Sequence, residues 1–236
     1  MTLEDNQHPA PQPAQVSPYW RPPGPSVATR IPSRRSRFSS RSSIVGGAEP
    51  RRIYCEGGLE EKAAYIFTTH RDVADVHEQP APVRYTDENG KARQHTFDFL
   101  LMLKDGRKIA AQIKPAKYEA KWRPIIWLIA QQMSRQFADA AVLLTEKDLH
   151  PDLVHNAMLI HAVRRDPPGV HDERMRDLVS KLKGSVRIGD LVEHSGLTGR
   201  GFRAIVRLIA DGELDIAGGR IGYDTQVFRA AAGALR

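Results

Sequence analysis

The chain has 236 residues, of which 41% are hydrophobic, and 35 Lys and Arg against 28 Asp and Glu give it a formal charge of +7. This length and apolar content suit one medium-sized domain with a small one or with tails, whereas the longest apolar run, IIWLIA, is far too short for a membrane-spanning helix. The N-terminal sequence lacks the apolar core of a secretory signal. A single cysteine excludes an internal disulfide and fits a reducing compartment, so we expect a cytoplasmic protein.

Most of the positive charge lies in residues 1–52, which contain eight arginines and three acidic residues, a net charge of +5, together with nine of the sixteen prolines. Such a segment buries too little apolar surface to offset the entropy lost on ordering. We predict that it is a disordered basic arm rich in Pro, Arg and Ser. Its run RIPSRRSRFSSRSS suits contact with a polyanion such as DNA and equally suits a solubilising tail.

Residues 53–165 are predicted to form a mixed α/β domain. Apolar residues at helical spacing from Leu59 to Phe67 predict a helix in GLEEKAAYIFTTH. The turn signals Asn-Gly and LKDGRK then predict an antiparallel meander with strands near 82–87, 92–103 and 107–114.

The domain is completed by a helix that begins at or just before Pro124, a buried strand in ADAAVLLT and a helix from about Pro151. The sequence DPPGV at 166–170 predicts a linker. Residues 171–236 then follow the order helix, helix, turn, helix and hairpin, which is typical of a winged helix-turn-helix domain.

Four arginines of this C-terminal domain are candidate DNA-binding residues. Arg200, Arg203 and Arg207 lie on the predicted recognition helix, whose N-terminal end usually meets base edges. Arg220 lies on the predicted wing, where it would contact the DNA backbone. The alternative is that this small domain docks a protein partner.

The turn in LKDGRK decides which polar side chains of the meander share a face. A three-residue loop with a left-handed glycine, Gly106, pairs Leu103 with Arg107 and sets Asp98 opposite Gln112, with Lys114 on the same face. A two-residue loop would separate Asp98 from the other two and mix the apolar and polar faces. We therefore predict the three-residue loop.

An acid on one strand, followed on the next by a polar ligand, one residue and a lysine, resembles the layout of the PD-(D/E)xK nucleases. Hydrolysis of a phosphodiester requires a hard divalent cation that neutralises developing charge and activates water. The resemblance implies that Asp98, Gln112 and the backbone carbonyl of Ile113 hold Mg²⁺, for which Mn²⁺ would substitute. Lys114 would orient or deprotonate the attacking water.

The chain resembles more closely the TnsA-type endonuclease subunits of heteromeric transposases, in which glutamine occupies this ligand position. The resemblance covers about residues 53–165 and rests on five motifs, in order EGGLEEKAAYIF, VADVHEQPAPVRY, HTFDFLL, AAQIKP and VLLTEKDLHPDLVHNAMLI. It implies that Glu60 is a fourth catalytic residue and a further metal ligand or an orienter of metal-bound water. It also implies cleavage of the 5′ ends of a mobile element beside a partner transposase of the DDE type.

Other polar and aromatic motifs have plainer interpretations. We predict that Glu78 and Gln79 are structural and that Trp122 and Trp127 pack in the core. The histidines show no zinc-ligand spacing, and we expect no organic cofactor and no membrane partner.

The sequence therefore predicts a restriction-endonuclease-like α/β domain with a C-terminal winged helix. The predicted function is that of a Mg²⁺-dependent DNA endonuclease subunit of a transposition system. It would act on double-stranded DNA and associate with the nucleoid when bound. Two alternatives remain open: a DNA-binding regulator or assembly factor with a degenerate nuclease domain, and a stand-alone repair or restriction nuclease.

Overall fold

A computed structural model of the chain describes residues 22–30, 41–166 and 169–230. In chain order its elements are β1 (Ser42–Gly46), β2 (Arg51–Cys55), α1 (Gly58–Thr69), β3 (Val73–Glu78), β4 (Val83–Thr86), β5 (Ala92–His95), β6 (Phe99–Leu103), β7 (Lys108–Ile113), α2 (Glu119–Gln132), β8 (Ala140–Leu144), α3 (Pro151–Arg164), α4 (Val170–Ser180), β9 (Ser185–Arg187), α5 (Ile188–Ser195), α6 (Thr198–Ala210), β10 (Leu214–Ile216) and β11 (Gln226–Arg229). Among the described residues, no helix is both long and apolar enough to cross a bilayer.

A four-stranded sheet in the order β3-β6-β7-β8 forms the centre of the larger half. Its first three strands are antiparallel, and β8 joins β7 in parallel because α2 carries the chain back across the sheet. One face packs against α1 and α3 through residues such as Phe99 and Ala111. The other face packs against α2 through residues such as Ala110 and Ile129. The observed architecture is mixed α/β, with helices on both sides of the sheet.

The predicted meander is wrong in one respect, since the predicted strand 92–103 is divided. The chain leaves the ladder at residues 96–98, so β5 pairs with β4 in a separate two-stranded sheet and β6 pairs with β3. As a result Phe97 lies in the core on the α2 side, whereas Phe99 lies in the core on the α1 side. In an unbroken strand the two rings would share a face.

The helix predicted to begin at or just before Pro124 begins earlier, at Glu119, with a 3-10 turn at Ala116–Tyr118 before it. Proline inside a helix removes one backbone hydrogen bond and costs about 3 kcal/mol. Burial of Ile126 and Ile129 against the sheet offsets this, because each contributes roughly 1.5–3 kcal/mol.

The predicted disordered arm is wrong for the part of residues 1–52 that the structure describes. β1 pairs antiparallel with β2 from Ser42↔Cys55 to Gly46↔Arg51 and packs against α1. Residues 22–30 are also bound to the larger half of the chain, since Gly24 N donates to Pro50 O and Thr29 N donates to Gln79 O. The arm residues 1–21 and 31–40 lie outside the described residues.

The C-terminal residues build a second apolar core from α4, α5, α6 and a three-stranded sheet in the order β10-β11-β9. The predicted hairpin is confirmed as the antiparallel pair β10 and β11. α5 ends at Gly196, whose φ of 66° is the left-handed conformation expected of a glycine after a helix.

The helix α3 belongs to both cores. Val154 and Ala157 pack with α1 in the first core, whereas Val163 is buried in the second, where Leu159 and Ile160 also pack. This one helix therefore joins the two halves.

Candidate active site

The turn between β6 and β7 is the predicted three-residue loop. Leu103 N donates to Arg107 O at 2.8 Å, Gly106 N donates to Leu103 O at 3.0 Å, and Gly106 has a φ of +89°. The ladder pairs Phe99 with Ala111 and continues to Met102 with Lys108. Extended by one residue, this register sets Asp98 opposite Gln112, so the sequence-based register is confirmed.

The Asp98 carboxylate is the centre of the polar cluster. Its Oδ2 atom accepts hydrogen bonds from Gln112 Nε2 and, at 2.7 Å, from Ile113 N, and Lys114 Nζ lies 3.8 Å away. The Asp98 side chain is only 8% exposed. Burial raises the pKa of Asp98 to about 6, against the lowering effects of Lys114 and the Ile113 hydrogen bond. The other oxygen, Oδ1, has no hydrogen-bond donor among the described residues.

Glu60 reaches the same cluster from the first turn of α1. Its Oε2 atom accepts a hydrogen bond from Glu56 N at 2.7 Å, which fixes the carboxylate at the start of the helix. Burial and the charge of Asp98 raise the pKa of Glu60 to about 7, and Lys114 opposes this. Two mutually repelling carboxylates and one ammonium group thus occupy one partly buried site.

Lys114 is held between Asp98 and an aromatic ring. Its Nζ atom lies 5.1 Å from the centre of the Trp122 ring, a cation–π contact. Trp122 packs in the core on the α2 side, as predicted, and in addition fixes the direction of the lysine. By contrast Trp127, also predicted to pack, is 65% exposed. That prediction is wrong, because Trp127 lies on the outer face of α2.

The amide of Gln112 lies between Asp98 and a histidine that the sequence does not single out. Gln112 Oε1 and His95 Nε2 are buried, and neither has a hydrogen-bond partner among the described residues. The pKa of His95 lies below its ordinary value, chiefly because the ring is buried and also because Lys114 is near. The neighbouring Gln112 amide partly opposes this lowering. Nothing in the local sequence marks His95, since its closeness to Gln112 depends on the break after β5.

Glu78 and Gln79 form the entry to the site from β3. Gln79 N donates to Asp98 O at 2.9 Å, although Gln79 has a left-handed φ of 44°. Glu78 is fully buried and accepts a hydrogen bond from Ser26 Oγ. These contacts fix the backbone on which Asp98 stands, consistent with the structural role predicted for both residues.

Residues 70–141 match the model of a family described as TnsA-like endonuclease N terminal. This segment is similar to TnsA-type endonucleases. The match confirms the resemblance for that part of the chain, which includes Asp98, Gln112 and Lys114 and leaves Glu60 outside. No curated protein matches the chain.

The TnsA-like segment carries oxygen donors that suit a hard cation. Within the described residues, no three His, Cys, Asp or Glu side chains lie together in a way that could hold a metal ion. The site instead brings together two carboxylates, Glu60 and Asp98, and the amide oxygen of Gln112, which is buried without a donor. As placed, the amide turns Nε2 towards Asp98 and Oε1 towards His95. With the amide turned over, Oε1 would lie beside the carboxylate and would suit Mg²⁺, which prefers oxygen ligands and keeps part of its water shell.

Outside the TnsA-like segment, the three candidate arginines of α6 are engaged with residues of α4 and of the predicted linker. Arg207 makes a two-pronged ion pair with Asp172, and the two side chains are only 12% and 5% exposed. Arg203 pairs with Asp166, and Arg200 Nη1 lies 3.3 Å from His171 Nε2. The burial of its guanidinium argues against the DNA-binding role predicted for Arg207.

Arg220 lies on the loop between β10 and β11, which is attached to α3. Asn156 donates through Nδ2 to Gly219 O at 2.9 Å and accepts from Ile221 N at 2.7 Å. Arg220 Nε lies 3.5 Å from Asp152 Oδ1 and stays exposed. The predicted wing thus lies against the larger half of the chain.

Proposed function

We propose that the chain is a Mg²⁺-dependent DNA endonuclease subunit of a transposition system. The observation that carries this proposal is the meeting of Asp98, Gln112 and Lys114 at the ends of β6 and β7, within a segment similar to TnsA-type endonucleases. Glu60 joins them from α1. An acid, an amide oxygen and a lysine in one partly buried site suit phosphodiester hydrolysis better than they suit a passive binding surface.

Asp98 Oδ1, the Ile113 carbonyl and, once its amide is turned over from the orientation that donates to Asp98, Gln112 Oε1 would hold Mg²⁺, with Glu60 as a further ligand. When bound, the ion supplies positive charge to the developing phosphorane oxygens and lowers the pKa of a water molecule. The amide carries no charge, so Gln112 adds an oxygen donor without a third repelling carboxylate. This suits a site in which burial already raises the pKa of Asp98.

Lys114 and Glu60 would act on the phosphate and on the attacking water. Lys114 Nζ, directed by Asp98 and the Trp122 ring, would bind a non-bridging oxygen of the scissile phosphate and orient the attacking water. Glu60 Oε1 has no donor among the described residues. A bound Mg²⁺ would keep Glu60 ionised, and this oxygen would then bind the ion or orient a water molecule on it.

We also propose that the larger half has a PD-(D/E)xK core and that the C-terminal half is a winged helix. The sheet order β3-β6-β7-β8, with β8 parallel to β7, supports a PD-(D/E)xK core. The order α4, β9, α5, α6, β10 and β11, with one sheet of β10-β11-β9, supports a winged helix. We propose that this winged helix docks a DDE-type transposase. The engagement of Arg203 and Arg207 with acidic residues of the chain favours this over base reading by α6.

Cleavage of supercoiled plasmid in Mg²⁺ or Mn²⁺ tests the nuclease proposal. Wild type is expected to nick the plasmid, whereas Asp98→Ala and Lys114→Ala abolish nicking. Asp105→Ala and Lys108→Ala are the matched controls, since they remove the same charges from the same hairpin outside the site. Nicking that survives both site substitutions would contradict the assignment. Repeating the assay with the partner transposase tests the proposed association.

A further inference from the structure

Residues 22–30, from the proline-rich arm, are bound to the core as an extended segment. Gly24 N donates to Pro50 O at 2.9 Å, and Arg52 N donates to Gly24 O at 3.0 Å. These bonds make Gly24 a bridge partner of Arg51 beside β2. The first half of the segment is thereby fixed.

The second half of the segment is attached to the residues that position Asp98. Thr29 N and Thr29 Oγ1 donate to Gln79 O at 3.0 and 2.9 Å. Ser26 Oγ donates to the buried carboxylate of Glu78. Gln79 in turn donates its N–H to Asp98 O, so the segment is fastened to the backbone that carries the central acid.

These contacts bring Arg30 to the edge of the site. Arg30 Nη2 donates to Glu56 Oε1 at 2.8 Å, and Glu56 N donates to Glu60 Oε2 at 2.7 Å. The Arg30 side chain is 65% exposed. Its charge is near enough to Asp98 to lower the pKa of that carboxyl, although burial dominates.

An exposed ion pair such as Arg30 with Glu56 contributes little to stability. The guanidinium has five N–H donors, and among the described residues only Glu56 accepts from it. The side chain is largely exposed, and the planar fork of a guanidinium matches two phosphate oxygens. An arginine on a bound segment, whose exposed guanidinium makes one hydrogen bond to the described residues, is suited to a ligand.

The charge of the site favours the same interpretation. Glu56, Glu60 and Asp98 bear three formal negative charges, and Lys114 bears one positive charge. The proposed Mg²⁺ would bring the sum of these charges only to zero, which leaves no net attraction for a phosphate. Arg30 supplies a positive charge on the exposed side, where a DNA strand would approach.

We propose that Arg30 is a phosphate-binding residue of the active site and that residues 22–30 serve to hold it there. This rests on the proposed nuclease function. The ligand is a backbone phosphate of duplex DNA next to the scissile bond. Residues 22–30 are then a functional part of the site, to which they contribute Arg30.

The test uses the full chain with Arg30→Ala, Arg30→Lys and, as the matched control, Arg52→Ala, which removes an exposed arginine from β2. Binding to a duplex oligonucleotide is measured in Ca²⁺ over a series of salt concentrations, and cleavage in Mg²⁺. Arg30→Ala is expected to weaken binding about tenfold and to reduce the slope of log K against log salt by about 0.9, the value for one phosphate contact. Arg30→Lys retains the slope and most of the affinity, and Arg52→Ala behaves as wild type.

The proposal is overturned if Arg30→Ala binds and cuts DNA like wild type. It is also overturned if Arg30→Ala binds DNA more tightly, because the segment 22–30 would then hinder access to the site. Asp98→Ala separates this from the nuclease proposal. If wild type cuts and Asp98→Ala does not, an unchanged Arg30→Ala refutes the role of Arg30 alone. If wild type neither binds nor cuts DNA, both proposals fail.

Discussion

Replacing the buried carboxylate by an amide, Asp98→Asn, should change how stability depends on pH. The pKa of Asp98 rises from an ordinary value of 3.8 to about 6 because the carboxylate is buried, with only 8% of its side chain exposed. Folding therefore favours the protonated acid. Its contribution to stability is complete below about pH 4 and is lost as the pH rises through 6. The difference corresponds to about 3 kcal/mol.

Wild type in EDTA should accordingly lose about 3 kcal/mol of unfolding free energy relative to Asp98→Asn between pH 3 and pH 8. Urea unfolding followed by tryptophan fluorescence measures this, because Trp122 lies beside the site. Asp105→Asn is the control, since Asp105 is exposed on the same hairpin and Arg107 lowers its pKa. Curves of wild type and Asp98→Asn that stay parallel over this range would refute the reasoning.

Magnesium should reverse this penalty in wild type. At a concentration one hundred times its dissociation constant, a bound ion adds about 2.7 kcal/mol to the unfolding free energy. Asp98→Asn should gain much less at pH 7.5. Equal gains in the two proteins would mean that Mg²⁺ binds elsewhere.

Three further outcomes follow from the same contacts. Gln112→Glu should lower the unfolding free energy of the metal-free protein by about 3 kcal/mol at pH 8, because it adds an uncompensated buried charge. The same substitution should tighten Mg²⁺ binding measured by calorimetry. An unchanged affinity for Mg²⁺ would argue against Gln112 as a ligand. Arg207→Met should cost about 3–5 kcal/mol by leaving its buried partner unpaired, whereas Arg203→Met should cost under about 1 kcal/mol in the same denaturant titration; equal effects would contradict the burial argument. Gly106→Ala should lower stability by about 1–2 kcal/mol in thermal unfolding, because the φ of Gly106 is +89°. Gly199→Ala is the control, since Gly199 lies in α6 with open space around it and should tolerate alanine. A neutral Gly106→Ala would remove the need for a left-handed residue in the turn.

The register of the hairpin can be predicted from the sequence because its determinants are local. Gly106 supplies the turn conformation, and the alternation of Phe99 and Leu101 against Ile109 and Ala111 admits one pairing. These two local features are sufficient to set Asp98 opposite Gln112.

Other parts of the fold and site depend on partners distant in the sequence. β3 is not predicted by the sequence because VADVHE alternates weakly and becomes a strand only beside β6. Arg30 belongs to a basic run that suits contact with DNA, but its place beside the site is not predicted, since it depends on Thr29 bonding to Gln79 fifty residues away. Arg207 looks like its neighbours on α6, and only Asp172 on another helix makes it an interior residue.

The shared helix α3 has a mechanical consequence for the whole chain. Cutting the chain at residues 166–170 would uncover Val163, Leu159 and Ile160, which the second core now shields from water. The first half produced alone would therefore expose an apolar surface patch on α3 and would aggregate. Heating the intact protein should unfold both halves in one transition. A force applied to the C-terminal half by a docked protein would be transmitted through α3 to α1, against which α3 packs in the first core.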